Sequence, residues 1–267
     1  MRPTSFIYAK PSEWGAYLWR FVASWWYVLH LGAIALVMAF SPSTYNRENR
    51  VSTSRYIYQS TWQVLPWFTL LAALISLVLI RIVVVTALSY GLSGYALEMV
   101  VRVLVLELIP LTAAMFVALR AGLAFNAGDA LAVAAASSPA AGKIAQNRLR
   151  RDLVPQVVSN ALAVLSLAMV SSVIVLVLAY VSVYGMSPWG VPDYTRTVGR
   201  IFNPAVTIGF LLKTIFFGLS VAVIPTAAIL ENHRYGRKSS STVQPGAIRL
   251  LFVLLVIEAA SLAVKYI

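Results

Sequence analysis

The chain has no cysteine, two histidines and only nine acidic residues among its 267. The first absence excludes disulfides, thiolate nucleophiles and zinc–thiolate sites, and it leaves the redox compartment unread. Two histidines leave little for a metal centre. There is no G-x-x-x-x-G-K-[ST] loop, so ATP chemistry would have to reside in another subunit. No internal repeat or low-complexity linker divides the chain. No cleavable signal peptide is expected either, because the first apolar stretch is too long and lacks a small-residue cleavage site. Charge is scarce at 11%, against 60% hydrophobic residues and a mean hydropathy of +0.81. A soluble domain of this length cannot bury that much apolar surface, so the chain belongs in a membrane.

What is present agrees. A bilayer core of roughly 30 Å needs about 20 apolar residues per helix. Five such runs lie near 65–88, 97–123, 156–184, 202–229 and 247–266. The expected fold is therefore an all-α integral membrane protein with five transmembrane helices. The net charge of +12 is not read as a nucleic-acid face, because Lys and Arg sit in short loops between the spans. Loops assigned to the cytoplasm hold Arg47, Arg50, Arg55, Lys143, Arg148, Arg150, Arg151, Arg234, Arg237 and Lys238; the opposite side holds Arg196, Arg200 and Lys265. That bias places the C-terminus outside the cytoplasm by the positive-inside rule.

Residues 1–60 form an amino-terminal segment in which 14–40 is apolar. Basic residues on both flanks and the cluster Trp14, Trp19, Trp25, Trp26 and Tyr27 predict an interfacial helix, with a sixth span as the alternative. The main domain is 61–267, with a cytoplasmic loop at 124–155. In that loop Ser137 or Ser138 is placed to cap a helix starting at Pro139 and ending in Arg150–Arg151.

The ionisable residues inside the apolar spans include Arg81, Glu98, Arg102, Glu107, Lys213 and Glu258. Each is costly there unless paired or facing a cavity. At about 1.5 Å per residue, Glu107, Lys213 and Glu258 lie near the midplane, and Arg81 and Arg102 share a shallower level. Glu98 and Arg102 are four apart and can pair along one helix. Two readings stand: ion pairs that lock helices together, Glu107 with Lys213 among them, or a polar-lined path. Gly91-Leu92-Ser93-Gly94 resembles a rhomboid-protease nucleophile motif, but its base would have to be His233 or His30, one in a loop on the opposite side and one in the interfacial segment. A nucleophile needs its base within hydrogen-bond reach, so Tyr90–Tyr95 is read as a tight turn between spans.

Three stretches carry a family resemblance. They are Leu106-Glu107-Leu108-Ile109-Pro110, then Ala118-Leu119-Arg120-Ala121-Gly122, and then Asn147-Arg148-Leu149-Arg150-Arg151-Asp152-Leu153-Val154-Pro155; Leu212-Lys213-Thr214-Ile215-Phe216-Phe217-Gly218 adds a fourth. In order and spacing they resemble the R-E-L-G-P, A-G-R-x-G, D-P-x-R-x-x-x-x-P and K-S-x-x-F-G motifs of the MlaE/YrbE family, the permease subunits of Mce-associated ABC lipid transporters. The resemblance covers roughly 60–267. It implies a bacterial inner-membrane dimer, homomeric or heteromeric, that moves phospholipid or a related lipid between membranes with a periplasmic MCE-domain protein, and it makes the side that holds the C-terminus the periplasm. ATP and Mg would belong to a cytoplasmic ABC ATPase, with no cofactor in this chain.

The same resemblance implies a lipid path along Arg81, Arg102, Leu106, Glu107 and Pro110, and ATPase coupling through Asp129, Ser137, Lys143, Arg148, Arg150 and Arg151. Four departures stand out. Leu106 replaces the family's Arg, Ile109 replaces its Gly, Ala127-Gly128-Asp129-Ala130 replaces A-E-L-G, and Ala136-Ser137 replaces E-Q. These losses leave three outcomes: a co-diverged ATPase, the degenerate half of a heterodimer, or a transport-incompetent membrane scaffold.

Overall fold

A computed structural model describes Trp25, Trp26, His30, Gly32, Ala33, Val37 and residues 54–124, 142–234 and 246–266. All the regular structure in these residues is helical. Helix α1 is Leu65–Ser89, entered through a short π-helical turn at Tyr58–Trp62 and begun by Pro66 in its first turn, where a missing N–H costs nothing. Helix α2 has three continuous pieces: α-helical Ser93–Val100, π-helical Val101–Leu108 and α-helical Ile109–Ala124. Helix α3 is Gly142–Tyr184, α4 is Val191–Ile201, α5 is Pro204–Arg234 and α6 is Ala247–Tyr266. All but α4 contain an apolar stretch long enough to cross a bilayer, making five candidate spans among the described residues.

Consecutive spans run antiparallel, so the bundle has two faces. The "basic face" carries the start of α1, α3 and α6; the "turn face" carries the α1–α2 turn and α4. Gly91 makes that turn at φ 71°, a left-handed conformation that favours glycine, and Leu92 N–H donates back to Ala87 O at 2.8 Å. This is the tight turn expected at Tyr90–Tyr95. His233 lies near the basic-face end of α5, so the backbone separates it from Ser93 by the depth of the bundle. Exposed aromatics gird both faces: Tyr56, Tyr58, Trp62 and Trp67 on one, Tyr90, Tyr95 and Trp189 on the other. Amphipathic rings in two bands are what headgroup levels select.

The interior has two apolar clusters stacked along the bundle axis. Toward the basic face, Phe68, Val117, Val164, Leu167, Phe217, Val221, Leu250 and Leu254 pack together. Toward the turn face, Ile80, Val100, Leu104, Val105, Val175, Ala179 and Phe210 do the same. Helices α3 and α5 approach closely at Gly218, where a Cβ would stand 2.9 Å from Ala161 O. α2 is the most enclosed span, whereas α6 and α1 are peripheral.

Three features differ from the sequence expectation. The helix expected to end at Arg150–Arg151 instead continues through Pro155 into the third span as one 43-residue helix. Pro155 removes one backbone bond, but its side chain is buried in the bundle and packing holds the helix together. Helix α4 was not foreseen. It lies across the turn face, fixed by Tyr194 O–H donating to Leu176 O at 2.8 Å and by Tyr184 O–H donating to Asp193 Oδ2 at 2.6 Å. Burial raises the Tyr194 phenol above its ordinary pKa, keeping it a neutral donor there. Finally, α2 begins at Ser93, four residues before the expected 97. The helix expected over 14–40 lies for the most part outside the described residues; within it, Trp25 sets its ring edge-on to Phe252 of α6 at 6.3 Å.

Candidate functional site

The site begins with proline chemistry. Pro110 has no N–H to give the carbonyl four residues back, that of Leu106. The preceding turns are wound as a π-helix from Val101 to Leu108, a rare winding that recurs at functional positions. Lys213 of α5 reaches across and donates from Nζ to Leu106 O at 3.3 Å. The same ammonium donates to Glu107 Oε2 of α2 and stands 2.8 Å from Glu258 Oε2 of α6 in a second ion pair. Phe217, one turn along α5, places its ring 5.7 Å from the nitrogen. One ammonium thus joins three spans.

Location gives this cluster its weight. Lys213 lies between Phe210 of the turn-face cluster and Phe217 of the basic-face cluster, so the charges fill the seam between two apolar cores. Its side chain is 3% exposed, while Glu107 and Glu258 keep 15% and 14%. The lysine is sealed, and the two glutamate side chains keep a small exposure although Glu258 Oε2 itself is buried. Two carboxylates against one ammonium also leave a formal charge of −1, since Leu106 stands where the family has arginine.

Of the other predicted residues, Arg102 donates from Nε to Glu98 Oε1 at 2.8 Å, the expected pair along one helix turn, and both side chains stay partly exposed. Leu106 and Pro110 are buried inside the protomer, so they act here through backbone geometry. Arg81 joins none of these groups. It is exposed on α1, beside a groove of about 470 Å3 lined by Leu77, Val78, Ile82, Val85 and Thr86. Asp129 and Ser137 lie outside the described residues; Lys143, Arg148, Arg150 and Arg151 fall on the first turns of α3, where only the backbone path is described.

Two things were missed by reading the sequence. Glu258 was recognised as intramembrane but not as the second partner of Lys213, and the Leu106 carbonyl was not recognised as a ligand. Pro110 carried the missing signal, since a proline inside a span leaves a carbonyl in want of a donor. At the basic face, Arg120 of the second resemblance motif donates from Nη2 to Gln59 O at 2.6 Å, tying the approach to α1 against the end of α2.

Five apolar spans around an ion-paired centre define a multi-pass membrane protein with the build of a permease. The sequence profile of the family described as permease MlaE matches residues 53–264. The chain belongs to this family and is a transmembrane permease of the lipid ABC-transporter class. A comparison with curated proteins gives no match.

Proposed function

We propose that this chain is the membrane-spanning subunit of an ABC-type complex that moves phospholipid or a related lipid between the inner and outer membranes of a bacterium. The carrying observation is the cluster at Lys213, in which the Glu107 side chain remains partly accessible at mid-depth. A purely structural ion pair needs no access, whereas a contact for a passing headgroup does. Arg102, at the shallower level, continues the polar line toward the turn face, while Arg81 stands at a similar depth on the exposed side of α1. Leu106 and Pro110 shape it by holding the π-helical stretch.

In this reading the basic face is cytoplasmic and the C-terminus periplasmic. A cytoplasmic ATPase, which binds ATP and Mg, docks on 126–152 with Asp129, Ser137, Lys143, Arg148, Arg150 and Arg151 as contacts. A periplasmic MCE-domain protein sits on the turn face, and a second permease copy, identical or not, completes the lipid path. A second reading has its own support: Leu106, Ile109, Gly128–Asp129 and Ala136–Ser137 all depart from the family pattern, as a scaffold or the degenerate half of a heterodimer would.

Affinity purification of the tagged chain in mild detergent, with mass spectrometry of accompanying proteins and lipids, separates the two. Recovery of an ATPase, an MCE-domain protein and phospholipid supports the transporter, and a second, motif-complete permease beside them identifies the heterodimer. Recovery of the chain alone or with unrelated membrane proteins supports the scaffold.

A further inference from the structure

Every charged side chain placed within the spans has a polar partner among the described residues, with one exception. Arg102 has Glu98, Lys213 has Glu107 and Glu258, Arg120 has the Gln59 carbonyl, and Arg249 is likewise engaged. Arg81 has none. Its depth makes this costly. Helix α1 is 25 residues long, about 37 Å at 1.5 Å per residue, so it overhangs a hydrocarbon core of roughly 30 Å by a few ångströms at each end. Arg81 lies eight residues before Ser89, or about 12 Å along the axis. Its Cα therefore sits roughly 8 Å beneath the hydrocarbon boundary, where an unpaired guanidinium is strongly disfavoured.

The surroundings name the counter-charge. Along α1, Ile80 is fully buried against α2, while Leu77, Val78, Ile82 and Val85 turn away from it and stay exposed. With Arg81 and Thr86 they line a shallow, open groove of about 470 Å3 along one face of α1. A cation and one hydroxyl in an otherwise apolar groove match an anionic head on apolar chains. Arginine's planar fork also suits a phosphate, which accepts two parallel N–H bonds.

We propose that Arg81 is a phosphate anchor for a phospholipid whose acyl chains lie in the groove at Leu77–Thr86, a station on the outward-facing surface of α1 and separate from the Lys213 cluster. The bound phosphate supplies the missing counter-charge and draws one headgroup below the ordinary boundary. This inference rests on the lipid-permease reading for its place in transport, but the binding itself does not need a working ATPase.

The test uses the full chain in mild detergent, stripped of cell lipid, and measures retained lipid by native mass spectrometry. Phosphatidylglycerol is added in one series and the matching diacylglycerol, with the same chains and no phosphate, in another. Wild type should retain phosphatidylglycerol roughly tenfold or more over Arg81→Gln, the scale of a charged hydrogen bond. Arg81→Lys should fall between, and diacylglycerol should not distinguish the three. Val85→Trp keeps the charge but fills the groove, so it should lose both lipids. Equal phosphatidylglycerol retention by Arg81→Gln overturns the proposal. So does a fall in dimer fraction with lipid retention unchanged, which would make a carboxylate of a second copy the counter-charge. If the purified complex fails to transport while the phosphate-dependent retention stands, the permease reading fails alone; if it transports and retention is equal, the anchor fails alone.

Discussion

Lys213→Met removes the one cation that two carboxylates and a backbone carbonyl share. In the wild type the ammonium is 3% exposed and its partners belong to two other spans, α2 and α6. Removing one member of a buried ion pair costs about 3–5 kcal/mol, because the remaining charges stay buried and uncompensated. That is a large fraction of the roughly 5–15 kcal/mol of a whole domain, and at about 2–4 °C per kcal/mol it corresponds to a fall in Tm of roughly 6–20 °C.

The sign of the excess charge sharpens the test. Glu258→Gln takes a cluster of formal charge −1 to zero, keeps the Lys213–Glu107 contact, and should cost only about 1 kcal/mol. The triple variant Lys213→Met with Glu107→Gln and Glu258→Gln removes every charge and should regain most of the loss, as neutral replacements of buried ion pairs do. Thermal unfolding in one detergent, followed by tryptophan fluorescence, ranks the variants. A Glu258→Gln loss equal to or larger than that of Lys213→Met would refute the charge argument, as would a Lys213→Met protein melting within about 2 °C of wild type, at most about 1 kcal/mol on the same scale.

Three further outcomes are expected. Gly218→Ala puts a methyl 2.9 Å from Ala161 O and 3.0 Å from its Cα, so α3 and α5 must separate at a cost of about 1–3 kcal/mol, read as a lowered Tm. Arg150→Glu combined with Arg151→Glu should abolish co-purification of the ATPase while leaving the melting curve close to wild type; unchanged association removes these residues from the docking surface. Glu107→Ala should lower phospholipid bound per folded chain, whereas a lower folding yield with normal lipid content would assign Glu107 a structural role.

Much of this architecture was legible beforehand. Apolar runs of about 20 residues report spans directly, because a bilayer enforces helix length and saturates backbone hydrogen bonds within each segment. Hence the run at 247–266 coincides with α6, and 65–88 misses α1 by one residue. Glu98–Arg102 was legible for the same local reason, since four residues along a helix bring side chains together. Helix α4 was not. At 11 residues with a strongly polar side it is too short and mixed for a hydropathy window, and it is held by tyrosine hydrogen bonds to residues up to 18 positions away. The continuation of α3 through Pro155 was missed because proline reads as a stop in isolation, while tertiary packing can carry a helix past it.

The sequence by itself determined that this chain lives in a membrane, where five of its apolar runs span, which ionisable residues are stranded in them and which family it resembles. Each of these follows from composition, length or short-range periodicity. Only the tertiary structure decided which stranded charges meet. Glu107, Lys213 and Glu258 are separated by 106 and 45 positions, and their encounter depends on the rotation of three helices, set by side-chain packing such as the close approach at Gly218. A pattern of hydrophobicity says that a helix is buried, but a nearly uniform apolar surface carries no record of which face turns toward which neighbour. That is why the partnerless Arg81, like the triad, became visible only once the helices were packed.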